Sequence, residues 1–126
     1  MPQPGGGPSI LIVEDSATIQ EVARATLEQA GMQVTTVGDG IEAIMQLGRM
    51  RYDLIISDIN MPNMDGYQLL EVLTTKKIDT PVIFLSASDK QEAEMKSLKM
   101  GVADFLQKPI QSELLLARVQ KILRKG

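Results

Sequence analysis

The sequence predicts an α/β fold: an open parallel sheet covered on both faces by helices. Short apolar stretches alternate with segments of helical period along nearly the whole chain. Three of those stretches, at 10–13, 54–56 and 82–85, are continuously apolar (ILIV, LII and VIFL), as strands buried on both faces of a parallel sheet must be. In 126 residues, five strand–helix units leave one economical arrangement, a single domain with right-handed crossovers.

Taken in order, residues 1–8 hold six glycines and prolines and read as a disordered leader or the remnant of a linker, with the domain spanning 9–126. Strands are expected at 10–13, 34–37, 54–56, 82–85 and 103–106. In the first helical segment Ile19, Val22, Ala23, Thr26, Leu27 and Ala30 form one stripe, and Gly31 follows where a helix would be capped. Asp39-x-x-Glu42 and Ser88-x-x-Gln91 read as capping boxes opening the second and fourth helices. Leu115, Val119, Ile122 and Leu123 give the last helix an apolar face, and Arg124 and Lys125 suit its negative pole.

Composition removes whole classes of chemistry. Thirteen basic against sixteen acidic residues leave no basic stripe for nucleic acid, and two tyrosines with two phenylalanines make no base-stacking platform. Without cysteine there is no disulfide framework, thiolate zinc site or thiol nucleophile; without histidine there is no imidazole base or His-ligated metal. Apolar runs of four residues are far too short for a membrane span, and no export signal opens the chain. The expectation is a soluble cytoplasmic module working with carboxylates, hydroxyls, lysine or a hard metal.

Open α/β sheets bind ligands beyond the carboxyl ends of their strands. Glu14 and Asp15 follow the first strand, Ser57 and Asp58 the third and Ser86 the fourth, while the fifth leads into Lys108 and Pro109. Carboxylates gathered at one rim repel unless a cation joins them, and an all-oxygen donor set calls for a hard one: Mg²⁺, Mn²⁺ or Ca²⁺. An ammonium and a hydroxyl beside such a cation suit a phosphoryl group.

Four segments carry a resemblance: Ile10-Leu-Ile-Val-Glu-Asp-Ser16, Asp53-Leu-Ile-Ile-Ser-Asp-Ile-Asn-Met-Pro-Asn-Met-Asp-Gly66, Val82-Ile-Phe-Leu-Ser-Ala-Ser88 and Gly101-Val-Ala-Asp-Phe-Leu-Gln-Lys-Pro109. Together they resemble the receiver domain of two-component response regulators, over about residues 9 to 125. The resemblance implies a flavodoxin-like sheet of order 2-1-3-4-5 with five helices. It implies that Asp58 is the phosphoacceptor, taking a phosphoryl group from the phosphohistidine of a histidine kinase or a phosphotransfer protein. Asp15, Asp58 and the backbone carbonyl of Asn60 would ligate Mg²⁺, with Glu14 acting through water. Lys108 and Ser86 would hold phosphoryl oxygens, the Lys108–Pro109 bond would be cis, and Ser86 and Phe105 would be the switch that reshapes helix four, strand five and helix five. Asn60 and Ser88 would flank the hydrolytic water and set the lifetime of the phosphorylated state.

The sequence departs from the common pattern in having Glu14 where an aspartate is frequent, Ser86 for threonine and Phe105 for tyrosine. An aspartyl-nucleophile phosphatase is a competing reading, but Glu14-Asp15-Ser16 lacks the Asp-x-Asp such enzymes have after the first strand. A receiver-like interaction module independent of phosphorylation is another; Asp15, Asp58, Ser86 and Lys108 argue against it. The expectation is a phosphoacceptor rather than an enzyme, without a direct nucleic-acid or membrane partner. Its output is expected through its own surface, on a downstream protein or an output domain absent from this chain. Asp104 and Arg118 fit the charged pairs through which receivers of winged-helix regulators dimerise. Glu94 and Leu114 stand where those have a basic and an acidic residue, so no tight symmetric dimer is expected.

Overall fold

The computed structural model describes residues 6–87 and 91–125. Five strands alternate with five helices: β1 (Ser9–Val13), α1 (Ala17–Gln29), β2 (Gln33–Val37), α2 (Gly40–Leu47), β3 (Leu54–Asp58), α3 (Gly66–Thr75), β4 (Val82–Ser86), α4 (Gln91–Lys99), β5 (Asp104–Gln107) and α5 (Ser112–Lys125). The strands pair in parallel in the order β2-β1-β3-β4-β5, the expected topology.

Alternation along the strands divides the interior in two. Ile10, Ile12, Leu54, Ile56, Ile83, Leu85 and Leu106 face α1 and α5, meeting Ala23, Leu27, Leu115 and Val119. Leu11, Val13, Ile55, Val82, Phe84 and Phe105 face the opposite way, toward Ala43 of α2 and Leu69, Leu70 and Leu73 of α3. Each strand isoleucine and leucine that is fully buried contributes about 1.5–3 kcal/mol. Because both faces are covered, the central strands read as unbroken apolar runs.

Two strands run past their predicted ends, and one is displaced. β3 continues through Ser57 and Asp58, and β4 through Ser86, so the polar rim residues are the last members of the ladder. β5 is shifted one residue on from 103–106, because Gln107 pairs with Ser86 while Ala103 stays exposed in the connection.

The helix termini follow local chemistry. The Ser16 hydroxyl caps α1 by accepting from Ile19 N at 3.3 Å, and Gly31, at φ +88°, takes the left-handed conformation after its end. Only Ala23 and Leu27 of the α1 stripe are fully buried; Val22 is 39% exposed and Ala30 is also at the surface. Asp39 caps α2 by accepting from Glu42 N, but the Glu42 carboxylate accepts from Gly38 N, one residue beyond the reciprocal partner Asp39 N. The complete capping box belongs to Asp65 and Gln68, at the start of α3. Ser88, of the expected pair with Gln91, lies outside the described residues. Residues 1–5 of the expected leader also lie outside them, while Pro8 O accepts from Gln33 N at 2.9 Å.

α4 is held lightly. Its one buried residue is Ser97, whose hydroxyl donates to Ala93 O within the same helix, while Met95 and Leu98 are exposed. Lys96 tethers it to α3, its ammonium 4.2 Å from the centre of the Tyr67 ring, and that ring packs edge-on against Phe84. No helix among the described residues is long and apolar enough to cross a membrane.

Candidate functional site

The carboxyl ends of β1, β3, β4 and β5 bring the polar rim together. Lys108 Nζ lies 3.0 Å from Glu14 Oε1 and 3.1 Å from Asp58 Oδ2, so one ammonium bridges two carboxylates. Glu14 is wholly buried and Asp58 is 4% exposed, whereas Asp15 is open to solvent. Carboxylate oxygens of Glu14, Asp15 and Asp58 all lie within 4.8 Å of one another. This donor set is hard and anionic, and it fits Mg²⁺.

Glu14 also pairs directly with Lys108, a contact that spacing along the chain does not reveal. Burial raises the Glu14 pKa above its usual value, and the nearby Asp58 charge works the same way. The Ser16 N–H and Lys108 pull against that rise without cancelling it. For Lys108 burial acts to lower the pKa, but Glu14 and Asp58 outweigh it and hold the ammonium above its ordinary range.

Each side chain is fixed by its backbone. Ser86 is buried at the end of β4, and its carbonyl accepts from Lys108 N at 2.8 Å, tying the lysine to the neighbouring strand. The Lys108–Pro109 peptide bond is cis. Asn60 N approaches Asp58 Oδ1 at 3.4 Å, and its side chain is exposed beside the acceptor. The loop that carries Asn60 is closed by Gly66 N donating to Ile59 O at 2.7 Å. Asn63 adds a bond of 3.1 Å to the Asp39 carboxylate, which with the Glu42 N–H keeps the Asp39 pKa low.

Gly66 and Gln20 escaped the sequence reading. A Cβ on Gly66 would lie 2.8 Å from Asp58 O and 2.9 Å from Ile59 Cα, so only glycine lets α3 start this close to the end of β3. The glycine that ends the long second segment, 53–66, is its signal in the sequence. Gln20 left none: its amide reaches the carbonyls of Glu14 and Val37 from α1. Ser57 turns away from the rim, its hydroxyl bonded to Asp58 O at 2.9 Å and facing Met61. Ser88 lies outside the described residues. Phe105 is buried, 8% exposed, in the core with Phe84.

The response regulator receiver domain family matches residues 10–120. The chain belongs to this family. Among curated proteins the chain is similar to the transcriptional regulatory protein HprR of Escherichia coli K12, with 40% identity over 116 residues, 92% of this chain and 52% of that protein. It is 37% identical to the two-component response regulator ORR21 of rice (Oryza sativa subsp. indica), over 94% of this chain and 17% of that protein. The chain thus spans about half of its bacterial relative and much less of the plant one. Among solved structures it resembles the receiver domain of Francisella response regulator 1452, at 35% identity and a TM-score of 0.90, covering 94% of this chain and 98% of that one. It also resembles the chemotaxis response regulator CheY4 of Vibrio cholerae, at 32% identity and a TM-score of 0.83, over 91% and 98% of the two chains. The receiver family places this chain among the phosphoaspartate signalling proteins.

Proposed function

We propose that residues 9–126 form a phosphorylatable switch of a cytoplasmic phosphorelay, with Asp58 as phosphoacceptor. The observation that carries this reading is the meeting of Lys108 with Asp58 and Glu14 beside the exposed Asp15. A carboxylate oxygen of Asp58 attacks the phosphorus of a phosphohistidine on a kinase or phosphotransfer protein. The P–N bond breaks, the imidazole leaves, and an acyl phosphate forms on Asp58. No base is needed, because an ionised carboxylate is already a nucleophile.

Asp15, Asp58 and the Asn60 carbonyl would hold Mg²⁺, with Glu14 beyond them. Bound there, the ion would neutralise phosphoryl oxygens. Lys108 supplies a second positive charge, turning from two carboxylates to the new phosphoryl group, and Ser86 donates its hydroxyl to another oxygen. Phosphorylation would then favour the inward position of Phe105 and change the face made by α4, β5 and α5, toward a downstream protein or an output domain. Asn60 and Ser88, both small and polar, would give the phosphorylated state an intermediate lifetime.

The test is incubation with a small phosphodonor and Mg²⁺ followed by mass spectrometry. One phosphoryl group on Asp58 is expected, lost in Asp58→Asn; undiminished labelling of that variant defeats the assignment. Steady turnover of generic phosphomonoesters would favour the phosphatase reading instead.

A further inference from the structure

We infer that Gln20 is a positioning residue for the cation site, a role that rests on the phosphoacceptor reading and adds a residue to it. Its side-chain amide lies 2.5 Å from Glu14 O and 3.2 Å from Val37 O, joining the first turn of α1 to the ends of β1 and β2. The same short turn is gripped at three further points. Glu14 N donates to Val37 O at 3.0 Å, Ser16 N donates to Glu14 Oε2 at 3.0 Å, and Ser16 caps α1. Asp15 sits between these anchors, and no side-chain bond among the described residues aims it.

The direction of the Asp15 carboxylate therefore follows from how the peptide planes on either side are held. Glu14 O belongs to the peptide that leads into Asp15. Gln20 fixes the orientation of that peptide by supplying its donor from the helix rather than from water. A hard cation requires its oxygen donors at nearly fixed separations, and Mg²⁺ is the more exacting of the common ones. Groups that orient metal ligands without touching the metal commonly change its affinity by 10–100-fold when lost. Gln20 is half-buried on a helix surface, so losing its amide loosens the loop while the core stays packed.

Gln20→Met keeps the length and helix preference of the side chain and removes the donor. Mg²⁺ is titrated without phosphodonor into wild type and variant, followed by the amide shifts around Asp58. Half-saturation in the variant is expected to need roughly tenfold more Mg²⁺. In metal-free protein, hydrogen exchange at the Ser16 amide should quicken while the amides of Ile55 and Ile83 keep their protection. Equal Mg²⁺ affinity in the two proteins overturns the inference. So does a loss of affinity accompanied by faster exchange throughout β3 and β4, which would mark a general weakening of the fold. Gln20→Ala, measured in the same way, must show the same loss. Failure of wild type to be labelled on Asp58 would defeat the phosphoacceptor reading and leave the titration result standing.

Discussion

The ammonium of Lys108 lies 3.1 Å from the carboxylate of Asp58, a charge contact with both partners largely withdrawn from water. Lys108→Met removes that charge and leaves Glu14 facing Asp58 across a buried gap. Unfolding by urea without divalent ions should show a loss of roughly 1–3 kcal/mol, as for other buried polar groups left without a partner. The same variant should bind Mg²⁺ more tightly than wild type, since no ammonium competes for the carboxylates. An unchanged or weaker Mg²⁺ affinity would show that Lys108 does not compete with the cation.

The raised pKa of Glu14 gives a pH dependence with a definite sign. The folded protein binds this proton more tightly than the unfolded chain, whose glutamate titrates near 4.5. Stability from this group therefore grows as pH falls from neutral toward that value, and is lost as pH rises through the folded pKa. Urea unfolding of wild type and Glu14→Gln without Mg²⁺, at several pH values from 7.5 downward, isolates the contribution. Wild type should gain on the variant with acidification; a constant difference contradicts the burial argument.

Gly66→Ala tests the close approach of α3 to β3. The added methyl would press on backbone atoms of Asp58 and Ile59, which cannot rotate away as a side chain can. The expected cost is about 1–3 kcal/mol, the usual range for overpacking. Labelling of Asp58 should slow as well, because its carbonyl is among the atoms displaced. Wild-type stability and rate in this variant would mean that the loop yields freely.

Arg118 and Asp104 bear on the expectation that no tight symmetric dimer forms. One guanidinium nitrogen of Arg118 reaches both Asp104 oxygens at 2.8 Å, so the two charges satisfy each other within one chain. Arg118→Ala should cost less than about 1 kcal/mol, the pair being partly exposed. Light scattering with and without phosphodonor should show no tight symmetric dimer in either protein. A phosphorylation-dependent dimer abolished by Arg118→Ala would contradict this.

The order of strands and helices was legible because burial on both faces leaves a plain trace, unbroken apolar runs separated by amphipathic segments. The rim was legible for a similar reason: Glu14, Asp15, Asp58, Ser86 and Lys108 each follow an apolar run, where a charge or hydroxyl stands out. What the sequence withheld are contacts between partners distant along the chain. The direct pairing of Glu14 with Lys108 joins the ends of β1 and β5, which β3 and β4 separate in the sheet, and the reach of Gln20 depends on the rotation of α1. That same rotation exposes Val22, since periodicity gives the width of an apolar stripe but not the angle at which it meets the sheet. The one-residue offset of β5 came from its pairing with β4, which hydrophobicity alone does not register.

The shallow seating of α4 has a kinetic consequence. Elements open individually in native proteins, and those with little buried apolar surface open first. With Ser97 as its one buried residue and a cation–π contact to Tyr67 as its tether, α4 can leave its place while the ladders of β3 and β4 stay closed. Its rearrangement then belongs to the microsecond-to-millisecond range of helix shifts rather than to the far slower unfolding of the domain. Amide exchange in 91–99 should accordingly outpace that in the strands by orders of magnitude, so that this helix keeps time separately from the sheet it rests on.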